Sequence, residues 1–449
     1  MKNRSSTIVS ILLIVFSISF LCFSALLLMK TLPEKKQASV TKLETGTVFD
    51  PGISAVEPIR EDPYEGELPT VPEETPEDVL PEQAPEDPEA DEQALQKART
   101  VLETMTPEEK IWQLFFATPE SLTAVQSATV AGAMTQSALS SKPVGGVIYF
   151  AKNLETRQQA IDLLSGTQSY SKIPLFLGTD EEGGTVSRIG SNKDLGGTAV
   201  TDMEMLGKAG DPAAVYAAGT TLVKNLTDLG FNLDFAPVAD VNGGRDTVIG
   251  SRSFGTDAQL CATMVGIMTG SLRDGGVIPC LKHFPGYGSA IVDGHYGTSS
   301  LKKTQEELEG TDFLPFTAGI AAGAPFVMVS HLCVPKITGD ETPSDLSKTI
   351  VTDLLRNKLG FTGVIITDSH EMASITDHYT PGEAAAAAIQ AGCDMILMPK
   401  DLQSAYFGIH TALVNGTITQ ERIDESVLRI LTVKASYGLL DGMEILKGE

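Results

Sequence analysis

Positive charge is scarce in this chain: 33 Lys and Arg stand against 58 Asp and Glu in 449 residues, a formal net charge of −25. A nucleic-acid backbone is bound through a basic face, so that class of partner is excluded. Cysteine is also scarce. The five present form no C-x-x-C pair, which leaves neither a disulfide scaffold nor a structural zinc site. Cys261, Cys280, Cys333 and Cys393 each lie in an apolar stretch and read as small buried hydrophobes. The 42 Gly and 24 Pro show no period, which removes collagen-like and repeat architectures. The single Trp, Trp112, reads as core. Apolar residues are plentiful at 42%, enough for one large core or two ordinary domains.

The chain divides into three zones. Residues 1–30 hold 23 successive uncharged positions, Thr7 to Met29, long enough to cross a bilayer with slight tilt. A cleaved signal peptide has a shorter apolar region ending in small residues, and Cys22 lacks the small residue that precedes a lipidated cysteine. The expectation is a single-pass anchor in a bacterial cell membrane, with the amino terminus inside and the bulk of the chain outside. Residues 31–93 form the second zone. Positions 61–92 carry fourteen acidic residues, seven prolines and no basic residue, a composition that cannot bury enough apolar surface to offset chain entropy. An extended acidic linker is expected. Residues 94–449 then have the composition of a globular domain, expected to be a monomer.

Within that domain, Thr106-Pro107-Glu108-Glu109 predicts a capping box and an opening helix. Eight short apolar runs follow, each ending in polar or turn residues: 113–118, 145–150, 174–180, 231–241, 278–284, 326–331, 363–368 and 395–399. Amphipathic helical patterns such as 211–230 separate most of them. Buried strands alternating with helices imply parallel βαβ units, and eight such units close into a (β/α)8 TIM-type barrel.

Chemistry in such barrels sits at the carboxyl ends of the strands, which directs attention to Asp180, Asp240, Lys282, His283, His331 and Asp368. Asp368 emerges directly from the apolar run Val364-Ile365-Ile366-Thr367. A carboxylate there is placed to attack an anomeric carbon and form a glycosyl intermediate. The stretch from Lys282 to Gly288 is a glycine-containing loop that continues to Asp293-Gly294-His295. An Asp two residues before a His can accept its ring N–H, fixing the tautomer and raising basicity for proton transfer. No H-x-H strand or H-E-x-x-H helix is present, so no metal or other cofactor is implied. His331 and His370 read as hydrogen-bonded supporting residues, and Tyr149, Phe284 and Tyr287 as packing.

These motifs resemble the single-domain bacterial β-N-acetylglucosaminidases of glycoside hydrolase family 3, the NagZ type, over about residues 104–441. The long K-H-F-P-G-x-G motif carries most of the specificity. The resemblance implies that Asp180, Arg188, Arg252, Lys282 and His283 bind the sugar, that Asp293 and His295 form the acid/base dyad, and that Asp368 is the nucleophile. It implies a retaining exo-β-N-acetylglucosaminidase acting on peptidoglycan fragments or chitooligosaccharides. The alternatives are a phosphorylase or β-glucosidase of the same family, or a non-catalytic sugar-binding module. The chain departs from the usual pattern at Thr185 (commonly Arg), Tyr287 (commonly His) and Gly294 (commonly Ser). Gly294 is expected to loosen the loop that carries His295.

Overall fold

The computed structural model describes residues 88–443, apart from 245, 246 and 296. Each predicted apolar run contributes one short strand: β1 Phe115–Ala117, β2 Gly146–Ile148, β3 Phe176–Thr179, β4 Leu233–Asp234, β5 Ile278–Phe284, β6 Phe326–Val329, β7 Val364–Thr367 and β8 Ile396–Leu397. Every residue in them is buried, as parallel strands covered on both faces require. Neighbours pair in the order β7-β6-β5-β4-β3-β2-β1-β8. A parallel bridge between Ile366 and Met395 brings β7 back to the residue before β8. The result is a nearly closed eight-strand barrel ringed by helices, consistent with the TIM-type fold expected from the sequence.

The capping box forms as predicted. Glu109 N donates to Thr106 Oγ1 at 3.2 Å, and Thr106 N donates to Glu109 Oε2 at 3.0 Å. The helix it starts, Pro107–Gln113, buries Trp112 against Tyr406 with ring centroids 4.3 Å apart. An earlier helix, Pro88–Glu103, buries Ala94, Ala98 and Val101 and packs on the last helix, Gln420–Ser436. Residues 88–93, read from the sequence as the end of the linker, are its first turns. The rest of the linker and the apolar segment Thr7 to Met29 lie outside the described residues. Among the described residues, no helix is long and apolar enough to cross a membrane.

The amino-terminal end of the barrel is closed by buried charge. Asp394 accepts from Arg356 at 2.7 Å, Arg429 at 3.1 Å, Ser426 at 2.6 Å and the Ile365 amide at 3.0 Å. Lys434 is fully buried there, donates to Gln113 Oε1 at 2.8 Å and lies 5.0 Å from the Phe176 ring centroid. Burial alone drives its pKa well below the usual lysine range. With this end filled by structural contacts, the opposite end is the one left open.

Candidate active site

The carboxyl ends of the strands open into a cavity of about 440 Å³, lined by Asp180, Arg188, Arg252, Lys282, His283, His295 and Asp368. These are all of the residues that the resemblance assigned to the site except Asp293, which pairs with His295; of the strand-end candidates, Asp240 and His331 do not line the cavity.

One wall is a buried ionic network. Lys282, inside β5, is 2% exposed and reaches Asp180 Oδ1 at 2.8 Å and Glu182 Oε1 at 2.5 Å. Arg252 grips the same Glu182 through both nitrogens of its fork, at 2.8 and 2.7 Å. Burial pushes the Glu182 carboxyl up, but Lys282 and Arg252 outweigh it and hold its pKa at about 2. For Lys282, burial opposes the charge, yet Asp180 and Glu182 raise its pKa above the ordinary lysine value. Glu182 and Lys282 therefore both stay charged at neutral pH. Asp180 also meets Arg188 Nη2 at 3.6 Å.

The loop that supplies Glu182 and Arg188 turns on Gly183 and Gly184, with φ of 89° and 57°. A Cβ on Gly184 would lie 2.1 Å from Asp202 Oδ1, so the left-handed turn has room only for glycine. Glu181, 1% exposed, accepts the amides of Arg188, Ile189 and Gly190 at 2.6, 2.8 and 2.8 Å and so aims Arg188 at the cavity. The neighbouring Asp240 does the same for the loop after β5. It takes His283 Nδ1 at 2.7 Å and the Tyr287 amide at 2.6 Å. The Lys282–His283 and Phe284–Pro285 peptide bonds within this loop are cis.

The opposite rim carries the Asp293–His295 pair. Asp293 Oδ1 accepts the His295 amide at 2.9 Å and lies 2.7 Å from its Nδ1, which places the proton on Nδ1 and leaves Nε2 to face outward. Burial raises the Asp293 pKa, but the His295 contacts, with Arg252, more than reverse this and leave it below the usual value. The pair is open to solvent, with the His295 side chain 66% exposed.

Asp368 follows β7, its amide donating to Val329 O at 2.8 Å and its Oδ1 accepting from Ser369 N at 2.7 Å. Burial raises its pKa, but His283, His331, the Ser369 amide and Lys282 together bring it below the ordinary aspartate value. Behind it lies a group that sequence reasoning saw only in part. His331 Nε2 donates to Ser369 O at 2.9 Å, and its Nδ1 meets Asp345 Oδ1 at 3.0 Å in an ion pair too oblique for a hydrogen bond. The other oxygen of Asp345 takes His370 Nε2 at 2.9 Å. Burial opposes protonation of His331, but Asp345 outweighs it and pushes the pKa up to about 9. Asp345 is held at about 2, its burial overcome by His331 and His370.

His331, Asp345 and His370 are, among the described residues, the group of three whose ligand atoms all lie within 4.8 Å of one another. Asp345 stands between the two imidazoles, hydrogen-bonded to His370 and ion-paired with His331, which in turn donates to Ser369 O beside Asp368.

Glu181, Asp345 and Phe150 were missed in the sequence. Phe150 lines the cavity with the Arg188 guanidinium 5.8 Å from its ring centroid, whereas Tyr149, Phe284 and Tyr287 are buried as expected. Adjacency to Asp180 and Glu182 was the only available signal for Glu181. Asp345 had none, being 23 residues from the motif it serves. Gly294 corrects an expectation: its N donates to Tyr287 Oη at 2.9 Å and its O accepts from Ser374 N at 3.1 Å, so the backbone there is tied on both sides rather than loosened.

Comparison with known proteins identifies the family. Residues 106–433 match the glycosyl hydrolase family 3 N terminal domain. Beta-hexosaminidase A of Pseudoalteromonas piscicida is 32% identical over 321 residues, 65% of this chain and 53% of that protein. Beta-hexosaminidase LpqI of Mycobacterium tuberculosis is 37% identical over 271 residues, 58% of this chain and 68% of that protein. A solved glycoside hydrolase family 3 β-N-acetylglucosaminidase from Paenibacillus superposes with a TM-score of 0.71 at 32% identity, covering 77% of this chain and 65% of that one. The chain thus spans about half the length of the first of these relatives. With its barrel, its cavity and a family match over most of its length, the chain belongs to glycoside hydrolase family 3.

Proposed function

We propose that this chain is a retaining exo-β-N-acetylglucosaminidase that removes terminal β-linked N-acetylglucosamine from glycan fragments, acting as a monomer. The observation that carries this reading is that Asp368 and His295 line one cavity together with the ion-paired Asp180–Lys282–Glu182–Arg252 network. A cavity of about 440 Å³ suits a small ligand held by a few convergent polar groups. The names of the relatives, beta-hexosaminidase and β-N-acetylglucosaminidase, supply the sugar.

In this mechanism Asp368, ionised at neutral pH and steadied by the Ser369 amide, attacks the anomeric carbon. In this step His295 carries a proton on each ring nitrogen: Asp293 holds Nδ1–H, and the Nε2 proton goes to the leaving oxygen as the glycosidic bond breaks and the bond from Asp368 to the sugar forms. Water then attacks the same carbon, His295 Nε2 takes its proton, and the bond to Asp368 breaks to release the sugar with net retention. Asp180, Arg188, Arg252, Lys282 and His283 hold the sugar hydroxyls. The 23 uncharged residues from Thr7 to Met29 and the acidic, proline-rich stretch after them support a single-pass membrane tether with the barrel outside, where cell-wall fragments are the substrate.

The test is nitrophenol release from the β-N-acetylglucosaminide and the β-glucoside by the full chain, with and without phosphate. Faster release from the N-acetyl sugar, unaffected by phosphate, is expected. Inactivity of the folded protein on both glycosides sinks the reading, and acceleration by phosphate replaces hydrolysis with phosphorolysis.

A further inference from the structure

Tyr287 is packing in the sequence reading, and its ring is indeed 8% exposed. Its hydroxyl, however, is fully engaged. It donates to Val292 O at 3.0 Å and accepts from Gly294 N at 2.9 Å. These two contacts fall on either side of Asp293, the residue that holds His295. The backbone of Tyr287 is itself fixed, its amide on the buried Asp240 that also takes His283 Nδ1. Burial pushes the phenol pKa up to about 12, so the O–H remains a donor through the working pH range.

We propose that the Tyr287 hydroxyl is the positioning group for the acid/base pair: by clamping the backbone before and after Asp293, it ties the exposed dyad loop to the buried sugar-binding wall. The inference rests on His295 being the acid/base. Gly294 is the complementary half of the device. A Cβ there would stand 3.3 Å from Tyr287 Oη and 2.7 Å from Met372 Cε, so a side chain at 294 would crowd the clamp. Gly294 O accepts from Ser374 N, which ties the same point to the segment after Asp368. The phenol oxygen thus holds the two residues that flank Asp293, and Gly294, through its own carbonyl, carries that hold on to the segment after the nucleophile. A misplacement of about 1 Å in such a constellation costs on the order of 10²-fold in rate.

The experiment is kcat/KM of full-length Tyr287→Phe on aryl β-N-acetylglucosaminides graded from dinitrophenyl to phenyl, beside His295→Ala and the wild type. A leaving group as good as dinitrophenolate departs without a proton, so a fault in acid catalysis shows only on the poor ones. Tyr287→Phe is expected to lose about 10- to 100-fold on the phenyl glycoside, to stay within about 3-fold on the dinitrophenyl glycoside, and to retain its KM. An equal loss across the series, or no loss at all, overturns the proposal. Should Tyr287→Phe not fold, Gly294→Ala keeps the phenol but displaces the clamp, and the same leaving-group signature is required of it. If His295→Ala itself shows no leaving-group dependence, it is the acid/base assignment that has failed. If His295→Ala shows it and Tyr287→Phe does not, only the positioning role has failed.

Discussion

On one side of the cavity Lys282, Glu182 and Asp240 are at most 3% exposed and every charge has a partner, whereas on the other the His295 side chain is 66% exposed and pairs with Asp293. The first side grows from strand ends and short glycine turns, the second from a loop. The contrast follows from what each side does under the proposed reaction. Charges that grip hydroxyls in a desolvated pocket must be paired before substrate arrives, because an unpaired buried ion is costly. A group that protonates the leaving oxygen and then takes the proton of the incoming water has to stand where water can reach it.

The largest expected effect tests the point where the two sides meet. Asp368→Ala is expected to lower kcat/KM by at least about 10⁴-fold, measured on the nitrophenyl N-acetylglucosaminide. A loss of less than 10-fold would show that another group attacks the sugar. Lys282→Met comes next, because it removes the buried cation shared by Asp180 and Glu182 and leaves them only Arg188 and Arg252. Urea unfolding should report a stability loss of roughly 3 to 5 kcal/mol together with loss of activity. If stability is unchanged, the wall is not the pre-paired network described above.

His295→Ala is the contrasting variant. Its activity on poor leaving groups should fall about 10² to 10⁴-fold, while its stability stays within about 0.5 kcal/mol of wild type. A large stability loss would erase the distinction between the two sides. The smallest effect concerns the chain behind Asp368. The folded-state pKa of His331 is raised to about 9, so the stability it contributes is complete below its unfolded value near 6.5 and is lost as pH climbs through 9. Wild-type stability should therefore decline by on the order of 2 kcal/mol across that window, and Asp345→Asn should remove the decline. Parallel pH profiles of the two proteins would exclude the ion pair.

Much of this was readable in advance, for identifiable reasons. Strands covered on both faces leave uninterrupted apolar runs, so all eight were visible, and the capping box at Thr106 declared its helix because both partners lie within four residues. Asp180, Lys282, His283 and Asp368 were found because an ionisable residue at the end of an apolar strand is conspicuous. Asp345 and Glu181 were not, because an acidic residue in a polar loop looks the same whether it faces solvent or a buried imidazole or amide.

By itself, then, the sequence determined the barrel and the reactive residue types, since periodicity and strand-end polarity are local properties of the chain. Only the tertiary structure decided the pairings: Glu182 between Lys282 and Arg252, Asp345 between two histidines, and the Tyr287 hydroxyl on both sides of Asp293. The charged partners, 14 to 100 residues apart, meet only when the barrel closes, and the burial that closure imposes gives those pairings their electrostatic strength; the Tyr287 contacts are close in sequence but depend on how the loop folds back on itself.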